Sequence, residues 1–253
     1  MRRSNTDKER DRYSSKASQE LKGLRDLNHL EDGIHGIPYI HHEPYLAYYV
    51  AIQTHIRSGA DVLEIAAGTG RHTIPIIKTG AKTTCLDISE NALQVLNLRT
   101  GGLARTVCAS MDQMPFPPNA FDFVLSCGGM SYTDNTKLRS EIFRILKPGG
   151  SVIFLDSLNH NPIYILNRLL RFLRGDRTFA TLHRMPRLAL LNSYSSHFEE
   201  SNLYVFGKTL WIKQILYKFR IHSDPRLLTL LDSVLDQKNA FKFLLVCKNL
   251  SKQ

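Results

Sequence analysis

From about residue 60 the chain alternates between short apolar runs and amphipathic stretches. The apolar runs fall at 61–66, 82–87, 104–108, 122–127 and 151–156 and predict strands. Helical spacing of apolar positions fills most of the gaps, at 70–79, 89–98 and 136–146. Short strands joined by crossover helices pair in parallel and need a helical layer on each face. The pattern therefore predicts a doubly wound α/β sheet. Upstream, residues 1–43 are polar and rich in histidine. They pass from a helical stretch into the loop "DGIHGIPYIHHEP", and a helix follows over 44–57. Downstream, Asn161 as N-cap, Pro162 in the first turn and Gly175 as a stop frame one further helix. Two more strands read as "ESNLYVFGK" and "AFKFLLVCKN", separated by helical material at 209–236 that Pro225 interrupts. With no βαβ unit after it, the terminal strand is free to insert antiparallel.

Composition narrows the class. A chain of 253 residues, 43% hydrophobic and 22% charged, is long enough for a substantial core and too apolar for a disordered protein. The opening "MRRSNTDKERDRYSSKASQE" has no apolar segment of the secretory kind, and "YLAYYVAI" is too short to span a bilayer. A cytoplasmic enzyme is the expectation. The four cysteines, at 85, 108, 127 and 247, lack the spacing of a zinc or redox motif, so no metal site is expected. They read as reduced core residues, with Cys127 the one able to face a site. The net charge of +10 concentrates at the chain ends and between 168 and 187, where six arginines face only Asp176.

In a parallel sheet of this kind the ligand sits beyond the carboxyl ends of the strands, where strand order reverses. "DVLEIAAGTGRHT" brings Gly68 and Gly70 to the end of the first strand, where the backbone can approach a ligand. Asp87 ends the second strand, where a carboxylate can accept both hydroxyls of a ribose. "SMDQMPFPP" puts Asp112 after the third strand, within reach of an adenine amine, with Met111 or Met114 against the ring. Together these residues describe adenosine. Thr73 occupies the position of the third glycine of a dinucleotide loop, and Glu64 adds a negative charge that suits a cation better than a pyrophosphate.

At this point the sequence resembles the class I methyltransferases that use S-adenosyl-L-methionine (SAM), in particular the UbiE-like group with a methyltransferase-11 type of domain. The resemblance rests on "VLEIAAGTGRHT", "CLDIS", "SMDQMPFPPNAFDFVLS" and "ILKPGGSVIFLD", in order over roughly 60–157. It implies a Rossmann-like sheet of seven strands with an antiparallel last strand. It further implies that Glu64, Gly68 and Gly70 hold the methionine portion, Asp87 the ribose, and Met111 with Asp112 the adenine. Ile88 and Ser126 count among the cofactor contacts, as does Ala66, a small replacement for a glycine common in the family and of little expected consequence. Tyr13 in "DRYSSKA" resembles the "YDxxA" stretch that lays an aromatic ring over the cofactor, with Ser14 in place of the Asp. On this reading residues 1–43 cover the cofactor site and 44–253 form the catalytic domain.

Candidate bases are His160, which follows the fifth strand, and Tyr132 in "CGGMSY"; His41, His42 and His72 are less favoured by position. The segment at about 158–200 emerges from the ligand edge and is expected to roof the site. Arg168, Arg171, Arg174 and Arg177 would then meet an anionic acceptor. "HNPIYILNRLLRFLRGDRT" also resembles a stretch of bacterial methyltransferases of surface-polysaccharide biosynthesis, which points to an anionic sugar or lipid-linked intermediate. Other readings stay open: a lipid or quinone methyltransferase docking peripherally on a membrane, an RNA methyltransferase, or a non-catalytic nucleotide-binding module. Against nucleic acid, "SCGGMSY" lacks the Asn/Asp-Pro-Pro-aromatic motif of amino-methylating enzymes.

Overall fold

A computed structural model describes residues 5–23, 34, 37, 41–175, 178–209, 235, 236 and 239–251. Its sheet contains β1 (Asp61–Ile65), β2 (Lys82–Asp87), β3 (Arg105–Cys108), β4 (Phe121–Cys127), β5 (Leu146–Ser157), β6 (Phe198–Phe206) and β7 (Lys242–Leu250). The order is β3-β2-β1-β4-β5-β7-β6. β1 to β5 pair in parallel, while β7 runs antiparallel to both β5 and β6. The doubly wound sheet and its antiparallel last strand are as the sequence predicts. Of the expected helical material at 209–236, residues 210–234 lie outside the described residues.

Period-two alternation in the central strands builds two cores, one on each face. Leu63, Ile65, Val124, Val152 and Phe154 point to one side, where Leu138 and Ile142 of α5 (Asn135–Ile145) cover them. Val62, Leu125, Ile153 and Leu155 point to the other, against Tyr48 and Ile52 of α2 (Glu43–His55). The crossovers after β1 and β2 are α3 (Thr73–Ile77) and α4 (Glu90–Thr100). Ser89 caps α4 by accepting from Ala92 N at 3.2 Å, and Asp134 caps α5 through Thr136 N at 2.9 Å. Edge strand β3 leaves Cys108 exposed, which corrects its expected core position: the outermost strand lacks a neighbour to cover it. The other three cysteines are buried or half-buried, and all are free thiols.

Three helices follow β5: α6 (Pro162–Leu173), α7 (Phe179–His183) and α8 (Leu188–Ser195). Asn161 caps α6 as expected, its Oδ1 accepting from Tyr164 N at 3.0 Å. α8 lies within the stretch expected to roof the site, yet it buries Leu191 and Tyr194 in the main core. At the other end of the chain, α1 (Asn5–Gly23) lies along α4 and packs Ala17 against Ala92 and Val95.

Candidate active site

The strand order reverses between β1 and β4, and a cavity of about 490 Å³ opens there at the carboxyl edge of the sheet. Its floor is the loop Ala66–Thr69, the end of β2 at Asp87 and Ile88, and the segment Ala109–Asp112 after β3. Cys127 and Gly128 close the side below β4, and Tyr13, Lys16, Ala17 and Glu20 of α1 form the cover. Tyr132, Thr133, Asp134, Lys137 and Arg184 line the remaining end.

The loop after β1 is shaped by backbone demands that the sequence meets unevenly. Gly68 and Gly70 both take positive φ, and a Cβ on Gly70 would lie 2.7 Å from Leu96 Cγ of α4, so its role is close packing against that helix. Ala66 also adopts the left-handed region, at φ 52°. The expectation that alanine there costs little is thus corrected: an L side chain in that region carries roughly 1–2 kcal/mol of strain. Gly68 N donates to Asp87 Oδ2 at 2.9 Å and Ser89 N to Asp87 Oδ1 at 2.9 Å. Burial raises the Asp87 pKa above its ordinary value, opposed by these backbone donors.

Glu64 sits behind this loop. It is 1% exposed and does not line the cavity. Thr73 Oγ1 donates to its Oε2 at 2.5 Å and Cys85 Sγ approaches at 3.7 Å. Burial pushes its pKa up to about 7 against the pull of those hydrogen bonds. The residue in place of the third glycine therefore clamps the acid, and Glu64 lies beneath the loop, outside the cavity lining. Ser126 is likewise buried beneath the loop, its Oγ without a hydrogen-bond partner among the described residues. Of the other expected cofactor contacts, Tyr13, Ala66, Gly68, Asp87, Ile88, Met111 and Asp112 line the cavity, while Gly70 does not. Ser110 fixes Asp112 by donating to its Oδ1 at 2.5 Å.

The candidate bases separate clearly. Tyr132 lies on a single 3₁₀ turn, Met130–Tyr132, that Asp156 holds by accepting from Met130 N at 2.8 Å. Tyr13 OH donates to Tyr132 OH at 2.5 Å, and their rings meet edge to face with centroids 5.4 Å apart. His160 is not brought to the cavity; its Nε2 accepts from Leu188 N at 3.1 Å and so ties the end of β5 to α8. His72 does line the cavity, but burial pushes its pKa down to about 3 and it stays neutral, hydrogen-bonded to Tyr49 at 2.8 Å.

The arginines are redistributed too. Arg168 turns back onto its own helix, donating Nε to Tyr164 OH at 3.0 Å and stacking on that ring. Arg171 and Arg174 are exposed away from the cavity, and Arg177 lies outside the described residues. The physical reason is the helix orientation: α6 presents Tyr164 and Arg168 inward and its other side to solvent. Of the described arginines in this basic stretch, Arg184 reaches the cavity, held at the end of α7 where its carbonyl accepts from Asn135 Nδ2 at 3.0 Å. Among the described residues neither Arg184 nor Lys137 is in an ion pair.

Among known sequences, the family described as "Methyltransferase domain" matches residues 63–154, the span from β1 through most of β5 that supplies the cavity floor. Over that span the chain is similar to the class I SAM-dependent methyltransferases. Ubiquinone/menaquinone biosynthesis C-methyltransferase UbiE of Psychromonas ingrahamii is 34% identical over 118 residues, covering 43% of this chain and 46% of that protein. The mitochondrial 2-methoxy-6-polyprenyl-1,4-benzoquinol methylase of Caenorhabditis elegans is 34% identical over 137 residues, covering 49% of this chain and 48% of that protein. The chain thus spans about half the length of the curated relatives it matches. The solved structure of the [4+2]-cyclase SpnF superimposes with a TM-score of 0.63 over 98% of both chains at 16% identity, a likeness of fold alone.

The methyltransferase domain's cofactor is SAM, and the cavity fits it. An ionised carboxylate offers about four acceptor positions, so Asp87 can hold its two backbone donors and still take two ribose hydroxyls. Met111 and Ala92 give an apolar lining beside Asp112, as an adenine ring needs. Sequence reasoning expected residues 1–43 as the cover but named only Tyr13 within it as a cofactor contact. Ser14 Oγ meets Ser89 Oγ at 2.8 Å, and Glu20 pairs with Arg99 and, at 3.3 Å, with Arg71. The helical spacing of Tyr13, Ala17 and Glu20 was the available signal.

Proposed function

We propose that this chain transfers a methyl group from SAM to the polar head of a small lipid-borne acceptor, a class that includes lipid-linked sugars, with their anionic phosphates, and quinone precursors, with their phenolic oxygens. The observation that carries the reading is the far end of the cavity, where Tyr132, Thr133, Lys137 and Arg184 continue beyond the cofactor residues. Asp134 lines the same end and feels both cations, but neither is in an ion pair with it among the described residues, so two positive charges against one negative leave room for an anionic group there. Thr133 is 4% exposed, and its Oγ1 has no hydrogen-bond partner among the described residues, so it has capacity for a polar acceptor. The quinone methylases among the relatives favour a lipid-borne acceptor over a soluble sugar nucleotide.

Bound SAM supplies an electrophilic methyl group on a sulfonium with a neutral thioether as leaving group. The protein's task is then alignment and exclusion of water. The cover of α1 excludes solvent, Arg184 and Lys137 fix the acceptor's anionic group, and Tyr132, held by Tyr13, receives a hydrogen bond from the attacking atom when that atom carries a proton.

A radiolabelled methyl transfer assay tests this with four acceptors: a short-chain demethylated quinol, a polyprenyl-diphosphate-linked sugar, a nucleotide sugar and transfer RNA. Label entering one of the first two supports the proposal. Label confined to the nucleotide sugar or the RNA overturns it. Arg184→Ala should lower turnover about tenfold or more while leaving SAM affinity unchanged, since a charge-assisted hydrogen bond is worth about 1.5–3 kcal/mol.

A further inference from the structure

α6 has two sides of opposite character. Leu166, Leu169, Leu170 and Leu173 recur at i, i+3, i+4 and i+7, so they share one face. All four are exposed, by 40–70%, and Phe179 at the start of α7 adds another ring exposed by 64%. On the inward side Arg168 is anchored to Tyr164 and also reaches Ser157 Oγ at 3.4 Å, while the Phe172 ring meets Phe179 at 6.0 Å. Arg171 and Arg174 flank the leucines, exposed and without ion pairs among the described residues. Four neighbouring leucines in water are a cost that a monomer's surface ordinarily avoids. An apolar stripe bordered by arginines is the form that lies in the plane of a lipid interface.

We propose that the leucine face of α6, with Phe179, docks on an anionic phospholipid bilayer. The leucines enter the acyl boundary, and Arg171 and Arg174 meet lipid phosphates, in keeping with the net charge of +10. Among the described residues no helix is long and apolar enough to cross a membrane, so the contact is peripheral. Its place in the fold gives it a use. α7 packs against the 3₁₀ turn that carries Tyr132, and Arg184 at its end lines the cavity, so the docked face adjoins the acceptor end. The inference deepens the reading of a lipid-borne acceptor and rests on it for its purpose, while the docking itself is measured separately.

Flotation is carried out on the full chain with acceptor-free phosphatidylcholine vesicles, with or without about one-third phosphatidylglycerol. The protein should float with the anionic vesicles and stay behind with the neutral ones. Leu170→Glu with Leu173→Glu should lower the bound fraction at least tenfold. Arg171→Gln and Arg174→Gln should each weaken binding about fivefold, and added salt should do the same. These side chains are exposed, and unchanged melting and SAM affinity verify that the variants fold. Wild-type protein that fails to float, leucine variants that float normally, or equal binding to neutral vesicles overturns the proposal. So does leucine-dependent self-association in sedimentation without vesicle binding, which would assign the face to a second copy of the chain. Turnover of a detergent-dissolved lipid acceptor provides the separate arm: its absence beside intact flotation overturns the acceptor and leaves the docking standing.

Discussion

Replacing Glu64 by Gln should stabilise the protein at alkaline pH and do so by an amount the structure sets. Its carboxyl is fully buried, and burial raises its pKa from 4.5 to about 7 even though Thr73 and Cys85 bond to the charged form. Between those values the folded protein keeps a proton that the unfolded chain has released. Stability of the wild type therefore falls as pH rises through this window and levels off above it. At about 1.4 kcal/mol per pKa unit, the loss from this group is about 3 kcal/mol. Glutamine has no proton to lose. The advantage of Glu64→Gln over wild type should thus grow by about 3 kcal/mol between pH 4 and pH 8, equivalent to about 6–12 °C in melting temperature for a domain of this size. Urea titration of both proteins across that range measures the difference directly, and effects of the amide that do not depend on pH cancel. A wild-type-to-variant difference that is the same at both ends of the range would refute a buried, half-neutral Glu64 beneath the loop.

Three further perturbations address neighbouring parts of the site. Ala66→Gly should stabilise the protein by about 0.5–1 kcal/mol by relieving the left-handed strain, net of glycine's greater chain entropy, and a destabilised variant would contradict it. Gly70→Ala should cost about 2–3 kcal/mol and weaken SAM binding, because its Cβ meets Leu96 in a backbone region closed to L side chains; a variant that melts like wild type would remove the close-packing argument. Ala17→Glu should lift α1 from Ala92 and Val95, making the first twenty residues sensitive to protease and weakening SAM about tenfold, with the melting of the rest little changed. Protease resistance equal to wild type would mean that α1 does not depend on this contact.

The sheet was legible because its chemistry is local. Continuous apolar strands, crossover helices with Ser89 and Asp134 as caps, and glycines at the end of β1 each carry their own signature in a few residues. The cofactor side was readable for the same reason, since Gly68, Asp87 and Asp112 follow strand ends whose order the fold imposes. What escaped depends on how helices are oriented. Nothing in the sequence of α6 says that its leucines face outward and Arg168 inward; the usual expectation for a helix is the reverse. His160 follows a strand end, the position expected of a catalytic residue, but the chain turns there and its Nε2 accepts from Leu188 N. Arg184 escaped because it is one of several similar residues, and only the short helix α7 carries it back to the cavity.

The cavity beyond β1, β2 and β4 should hold SAM with Asp87 at the ribose, and calorimetry tests this most directly. Wild-type protein should bind SAM and its demethylated product and show no measurable heat with NAD. Asp87→Ala should weaken SAM at least about a hundredfold, because two hydrogen bonds to a charged acceptor are lost together, and Asp87→Asn should fall between. A preference for NAD, or undiminished SAM binding by a folded Asp87→Ala variant, would contradict the account.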